Sequence, residues 1–244
     1  MRILRLLLFA TAVTAANVVS AAEVVRAGRW ELHSSFWMNL HQALMHDATA
    51  PTPRDLGPLT PEQKAAWTAA VAAYREAGGS GNITFARPMV ITQDELSQVA
   101  DDALSPGLRG PLADSIRQAA PVYRAHWWAG EDAANRFFIG YAAAMLRDAG
   151  EELARAHEAV YRDQLPKSIR ADIAGNAGRF GAYSLPLRNG GFVVTMSSRD
   201  AGFQGLAALE MMLHESSHSI VWPGGGTVGT AITAASKKIG IEPP

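Results

Sequence analysis

The stretch Leu213-His214-Glu215-Ser216-Ser217-His218 restricts this chain more than any other. It reads H-E-x-x-H, a pattern that has chemical meaning only on a helix. There, His214 and His218 stand one turn apart on the same face. Two imidazoles so placed can bind one Zn²⁺, and Glu215 beside them is placed to act as general base on a zinc-bound water. Gly205, Leu206, Leu209, Met212, Leu213 and Ile220 make residues 203–221 apolar around much of the circumference, which predicts a largely buried helix.

The rest of the composition narrows the chemistry. The 244 residues contain no cysteine, so disulfides and thiolate metal sites are excluded, and any transition-metal site must use His and carboxylates. Hydrophobic residues are 48% and charged residues 18% of the chain, enough for a sizeable core. The formal net charge is −1, with no basic stripe, which argues against nucleic acid as a partner. At the N-terminus, Arg2 and Arg5 precede Leu6-Leu7-Leu8-Phe9-Ala10, and Ser20-Ala21-Ala22 supplies small residues before Glu23. Residues 1–22 therefore read as a secretory signal peptide, and the protein as exported, periplasmic or secreted. No later segment has the length and apolarity of a membrane span. Residues 23–244 are read as a single domain, with a possible helical lobe at 23–166 and a site-bearing unit at 167–244.

Taken in order, residues 23–32 give a weak strand pattern. From Ser34 or Ser35 a helix is expected, with Phe36, Trp37, Leu40 and Leu44 as its apolar stripe. It is rich in histidine (His33, His41, His46), and Asn39 or His41 on it is a candidate to touch substrate or metal water; a core-packed helix is the alternative. Thr60-Pro61-Glu62-Gln63 is a capping box opening a helix to about Ala77. Thr92-Gln93-Asp94-Glu95 reads as a second capping box and helix start. Tyr123, His126, Trp127 and Trp128 form an aromatic knot, read as a buried corner or a cleft wall. Residues 131–165 read as one long helical stretch that Gly150 can divide and Pro166 ends. The runs 183–187 and 192–196, joined by Arg188-Asn189-Gly190-Gly191, predict a β-hairpin. Residues 227–240 suggest a last short helix.

A hairpin directly before an H-E-x-x-H helix resembles the zincin superfamily of zinc metallopeptidases, more loosely its gluzincin branch, over residues 180–222. The resemblance implies an α+β fold, mainly helical, with a small antiparallel hairpin or sheet beside the H-E-x-x-H helix. It implies that His214 and His218 bind Zn²⁺, that Glu215 deprotonates the zinc water, and that the strand 192–196 offers a free edge to a peptide substrate. A metzincin would carry Gly at position 221 and His at 224; Val221 and Gly224 exclude that branch. A gluzincin takes a third ligand, a Glu, from a later helix. The acidic residue after His218 is Glu242, followed at once by Pro243. The alternative is a C-terminally truncated chain of an exported bacterial protein, with that ligand beyond Pro244. Glu210, one turn before His214, is placed to hold an imidazole or line the cleft. Tyr183 offers a phenol to an oxyanion or packs within its strand, and His33, His46, His126 and Asp200 are further candidates. The sequence thus points to an exported zinc-dependent metallohydrolase, a peptidase with a peptide or protein substrate. The alternatives are a non-catalytic zincin-like binding or structural domain with an incomplete metal site, and an accidental H-E-x-x-H.

Overall fold

The computed structural model describes residues 24–50, 54–78, 83–99, 104, 108–221 and 226–240. The expected signal peptide and Glu242 lie outside the described residues. The architecture is α+β and mainly helical, built on a mixed sheet of five strands in the order β1-β2-β3-β5-β4. The strands are β1 (Val25–Ala27), β2 (Trp30–His33), β3 (Ile169–Ala174), β4 (Ala182–Pro186) and β5 (Phe192–Ser197). β1 and β4 are the antiparallel edges, while β2, β3 and β5 run parallel in the centre. The sheet is thus larger than the expected hairpin. The suggested boundary at residue 166 runs through it, because β2 before that point pairs with β3 after it.

β3 carries no expectation from the sequence. Its Arg170 and Asp172 point to one face and pair with each other at 2.8 Å, while Ile169, Ala171 and Ile173 enter the core on the other face. The apolar face, with Phe192, Val194 and Met196 of β5, is covered by α5 (Ala129–Met145), α6 (Glu151–Tyr161) and α7 (Leu206–Val221). The opposite face meets α1 (Phe36–Thr49) and α3 (Arg87–Leu96), with α2 (Pro61–Gly78) and α4 (Pro111–Tyr123) packed outside α1. α8 (Gly226–Lys238) follows α7, and among the described residues no helix is long and apolar enough to cross a membrane.

Local chemistry explains some helix starts; α1 begins after Ser35 as expected, but without a side-chain cap bond. Thr60 and Gln63 form the expected reciprocal cap, with Thr60 N–H donating to Gln63 Oε1 at 3.0 Å and Gln63 N–H to Thr60 Oγ1 at 3.3 Å. The second capping box is not used. α3 starts five residues earlier at Arg87, where Pro88 occupies the first turn, and Thr92, Gln93 and Asp94 are buried inside the helix. Gln93 and Asp94 turn to tertiary partners instead: Gln93 Nε2 donates to Thr195 Oγ1 at 2.7 Å and Asp94 Oδ1 accepts from Arg188 N–H at 3.1 Å. The aromatic knot is not a corner either. A π-helical turn at Arg124–Trp128 joins α4 directly to α5, and a second at Leu146–Gly150 joins α5 to α6. Trp127 and Trp128 lie half-buried there, edge-on to Trp67 and Phe36 at 4.8 and 5.5 Å. The hairpin forms as expected, with Gly190 supplying the left-handed residue at φ 80°.

α1 is buried almost all round, so its polar side chains need partners inside the protein. Asn39 has four: its Nδ2 donates to Ser35 O (2.9 Å) and Ile173 O (3.1 Å), and its Oδ1 accepts from Asn135 Nδ2 (2.9 Å) and Gly175 N–H (3.2 Å). Asn39→Ala removes one of the two acceptors of the buried Asn135 Nδ2, the other being Ser34 Oγ, and takes away the side-chain acceptor of Gly175 N–H, and should destabilise the fold by about 3 kcal/mol in urea unfolding. A loss within experimental error would show that this amide does not organise the end of β3.

Candidate metal centre

α7 places its histidines at the rim of the molecule and its glutamate inside. Ala208, Met212 and Ile220 anchor the helix to the sheet, and Trp30 Nε1 donates to Ser216 Oγ at 3.2 Å across the core. That orientation leaves His214 exposed, His218 part-exposed and Glu215 buried. The helix is therefore largely buried, as its apolar content suggested, with Leu206, Glu210 and His214 as its exposed stripe. The His214 and His218 rings stand edge to face with centroids 5.0 Å apart. One ligand atom from each of His214, Glu215 and His218 fits within 4.8 Å, the only such group of three or more metal-binding side chains among the described residues. Glu215 Oε2 lies 3.9 Å from His218 Nε2 and accepts a 2.8 Å hydrogen bond from Ser184 Oγ of β4. The donor set, two imidazoles and a carboxylate without sulfur, suits zinc or another borderline divalent ion.

Ser184 escaped the sequence reading. It lies within the expected strand, but which face of a hairpin meets the following helix is set by tertiary packing. Phe85, Phe180, Ala182, Tyr183 and Ser184 join Glu215 and His218 around a cleft of about 210 Å³. The strand beside this cleft is β4. β5 is paired on both sides, to β3 and to β4, so the expected free edge at 192–196 does not exist; the free edge belongs to β4.

Of the other expected candidates among the described residues, only Tyr183 borders the cleft, and its hydroxyl is turned away from it. The Tyr183 hydroxyl is on the opposite face of β4 from Ser184, accepting from Gln42 Nε2 (2.6 Å) and donating to Gln93 Oε1 (2.7 Å). Burial pushes its phenol above the ordinary tyrosine range, so the hydroxyl keeps its proton and serves this network rather than an oxyanion. Asn39 is the structural hub described above. His41 is wholly buried against Tyr74, whose hydroxyl is 2.8 Å from Nδ1, and its Nε2 has no hydrogen-bond partner among the described residues. Neither reaches the metal group. Glu210 is exposed and outside that group. His33 is buried at the end of β2, His126 is exposed on the first π turn, and Asp200 caps the short 3₁₀ turn before α7 by accepting from Gly202 N–H at 2.8 Å. No family model, curated protein or solved structure matches this chain.

Two of these histidines make stability depend on pH. Loss of water pushes the His41 imidazole down to about 3, and burial, with Arg170 nearby, takes His33 down to about 4. Both are neutral in the fold, whereas the unfolded chain protonates them near the ordinary value of 6.5. Between these values the unfolded state binds more protons, so their contribution is complete above the ordinary value and is lost as pH falls toward the folded one. His41 alone should remove about 3 kcal/mol between roughly pH 6.5 and 4. Urea midpoints across this range should fall steeply for the wild type and less steeply for His41→Gln. Parallel slopes would show that His41 does not titrate this way.

Proposed function

We propose that this protein is an exported zinc-dependent metallohydrolase that cleaves peptides. The observation that carries the reading is the buried Glu215 carboxylate, fixed by Ser184 between two imidazoles at the mouth of a cleft bordered by an unpaired strand edge. His214 and His218 would hold the ion, with a third protein ligand such as Glu242 completing the set. When bound, zinc supplies Lewis acidity that polarises a carbonyl and lowers the pKa of water. The chain's own residues do the rest. Glu215 takes the proton of the attacking water and passes it to the leaving amine. The Ser184 hydroxyl holds Oε2 and so fixes the carboxylate beside His218. β4 offers main-chain N–H and C=O groups with which an extended peptide pairs, so binding does not depend on side-chain identity. Phe85 and Phe180 give the cleft an apolar wall that excludes water from the reacting carbonyl.

A second reading, a non-catalytic zincin-like binding or structural domain with an incomplete metal site, draws on the ligand count: among the described residues only Glu215 joins the two histidines. The two readings separate on one set of variants. Purified protein should contain about one zinc per chain, and His214→Ala and His218→Ala should each abolish it. Glu215→Gln should retain zinc and lose about a thousandfold in kcat/KM on a peptide library. Ser184→Ala should retain zinc and lose about tenfold in kcat. Zinc bound by the wild type with no hydrolysis of any peptide would favour the second reading, and a chain that takes up no zinc would refute the first.

A further inference from the structure

A larger cleft, of about 470 Å³, opens away from the H-E-x-x-H helix, beyond the carboxyl ends of β3 and β5. These strands are parallel neighbours, and crevices outside the carboxyl ends of parallel strands are where open sheets take ligands. The volume is that of a small-molecule site. Its walls are the last turn of α1 (His46, Thr49), the loop 175–181 (Asn176, Arg179) and the turn after β5 (Arg199, Asp200).

The walls are held rigidly from behind. Gly175 N–H donates to Asn39 and Gly178 N–H to Gln42, both from buried α1 side chains. His46 Nδ1 is 3.1 Å from Asp47 Oδ1, so Nε2 is the ring nitrogen left for a ligand. Arg199 reaches buried Glu131 at 3.3 Å while its side chain stays half exposed. Asp47 and Glu131 are themselves bridged by Arg54, and Tyr123 donates to Glu131 at 2.5 Å. Arg179 stacks on Phe180 at 4.8 Å and has no carboxylate partner among the described residues. The one acid in the wall, Asp200, has an oxygen engaged by Gly202 N–H. The cleft is therefore lined by two arginines and a histidine: Arg199 is paired with Glu131, and Arg179, stacked on Phe180, has no carboxylate partner among the described residues.

The geometry points to a binding site for a small dicarboxylate, gripped by the Arg179 and Arg199 guanidinium groups with His46 and Thr49 at the other end. Guanidinium forks match planar carboxylates through paired hydrogen bonds. The site shares loop 175–181 with the candidate metal centre, since Phe180, beside Arg179, lines the other cleft. It requires no metal and does not rest on the peptidase reading.

Calorimetric titration of the whole chain with succinate, in chelator so that no metal competes, should show saturable binding of one ligand per chain. Succinamide, the neutral analogue, should not bind, and inorganic phosphate should bind at least tenfold more weakly. Arg179→Gln, which breaks no ion pair among the described residues, should weaken succinate at least tenfold, and Arg199→Gln similarly if circular dichroism shows it folded. Glu215→Gln should bind as the wild type does. No saturable heat, equal binding of succinamide or phosphate, or undiminished binding by Arg179→Gln would overturn the assignment.

Discussion

The fold depends on keeping the polar side chains of one buried helix hydrogen-bonded. α1 lies between the sheet and an outer layer of helices, yet carries Asn39, His41, Gln42 and Asp47. An unpaired amide or carboxylate at such depth costs more than most single contacts return, so these groups dictate what must surround them. Asn39 fixes the end of β3, and Asp47 draws in Arg54 and the Trp67 indole at 2.8 and 3.0 Å. Gln42 fixes Gly178 and, with Gln93, the hydroxyl of Tyr183. The last of these connects the interior to the candidate site. Tyr183 and Ser184 are consecutive in β4, so the network that locks one on the α1 side sets where the other meets Glu215.

This arrangement explains why the sequence disclosed some of the site and not the rest. His214, Glu215 and His218 are local: four residues of helix bring them together whatever surrounds them. The hairpin is equally local, since Asn189-Gly190 allows the chain to reverse wherever it occurs. Ser184 became a partner of Glu215 only through the packing of hairpin on helix, and β4 became the free edge only because β3 claimed the other side of β5. β3 itself was hard to read because Arg170 and Asp172 interrupt an otherwise buried strand, and their mutual pairing is what makes them tolerable there. Parallel pairing between β2 and β3, more than a hundred residues apart, leaves no local trace. The histidines of α1 resembled site residues because imidazole serves equally as ligand and as buried packing; His41 proved to be the latter.

Two groups of charged side chains make different demands. Around α7 the carboxylate and imidazoles converge on a point, a geometry suited to one small cation. At the carboxyl ends of β3 and β5, buried acids sit behind exposed bases, so the negative charge is used up inside and positive charge is displayed outside. One rigid loop, 175–181, forms part of both walls, and its own hydrogen bonds run to α1 rather than to either cleft.

The π turns inside the long helix have a further consequence. An α-helix turns by about 100° per residue, and a π turn holds roughly one residue more than an α turn. Each therefore resets the angular phase of everything after it. Before the first, α4 buries Ile116, Ala119 and Tyr123 against α1 and α2; beyond it, α5 lays Phe138, Ile139 and Ala142 on the far face of the sheet. A continuous helix can serve two cores facing in different directions only if its stripe is re-aimed between them. Deleting one residue from Arg124–Trp128 would leave the helix intact and even more regular, but would swing the downstream stripe, with Glu131 and Asn135, about a quarter turn away from the partners that need them.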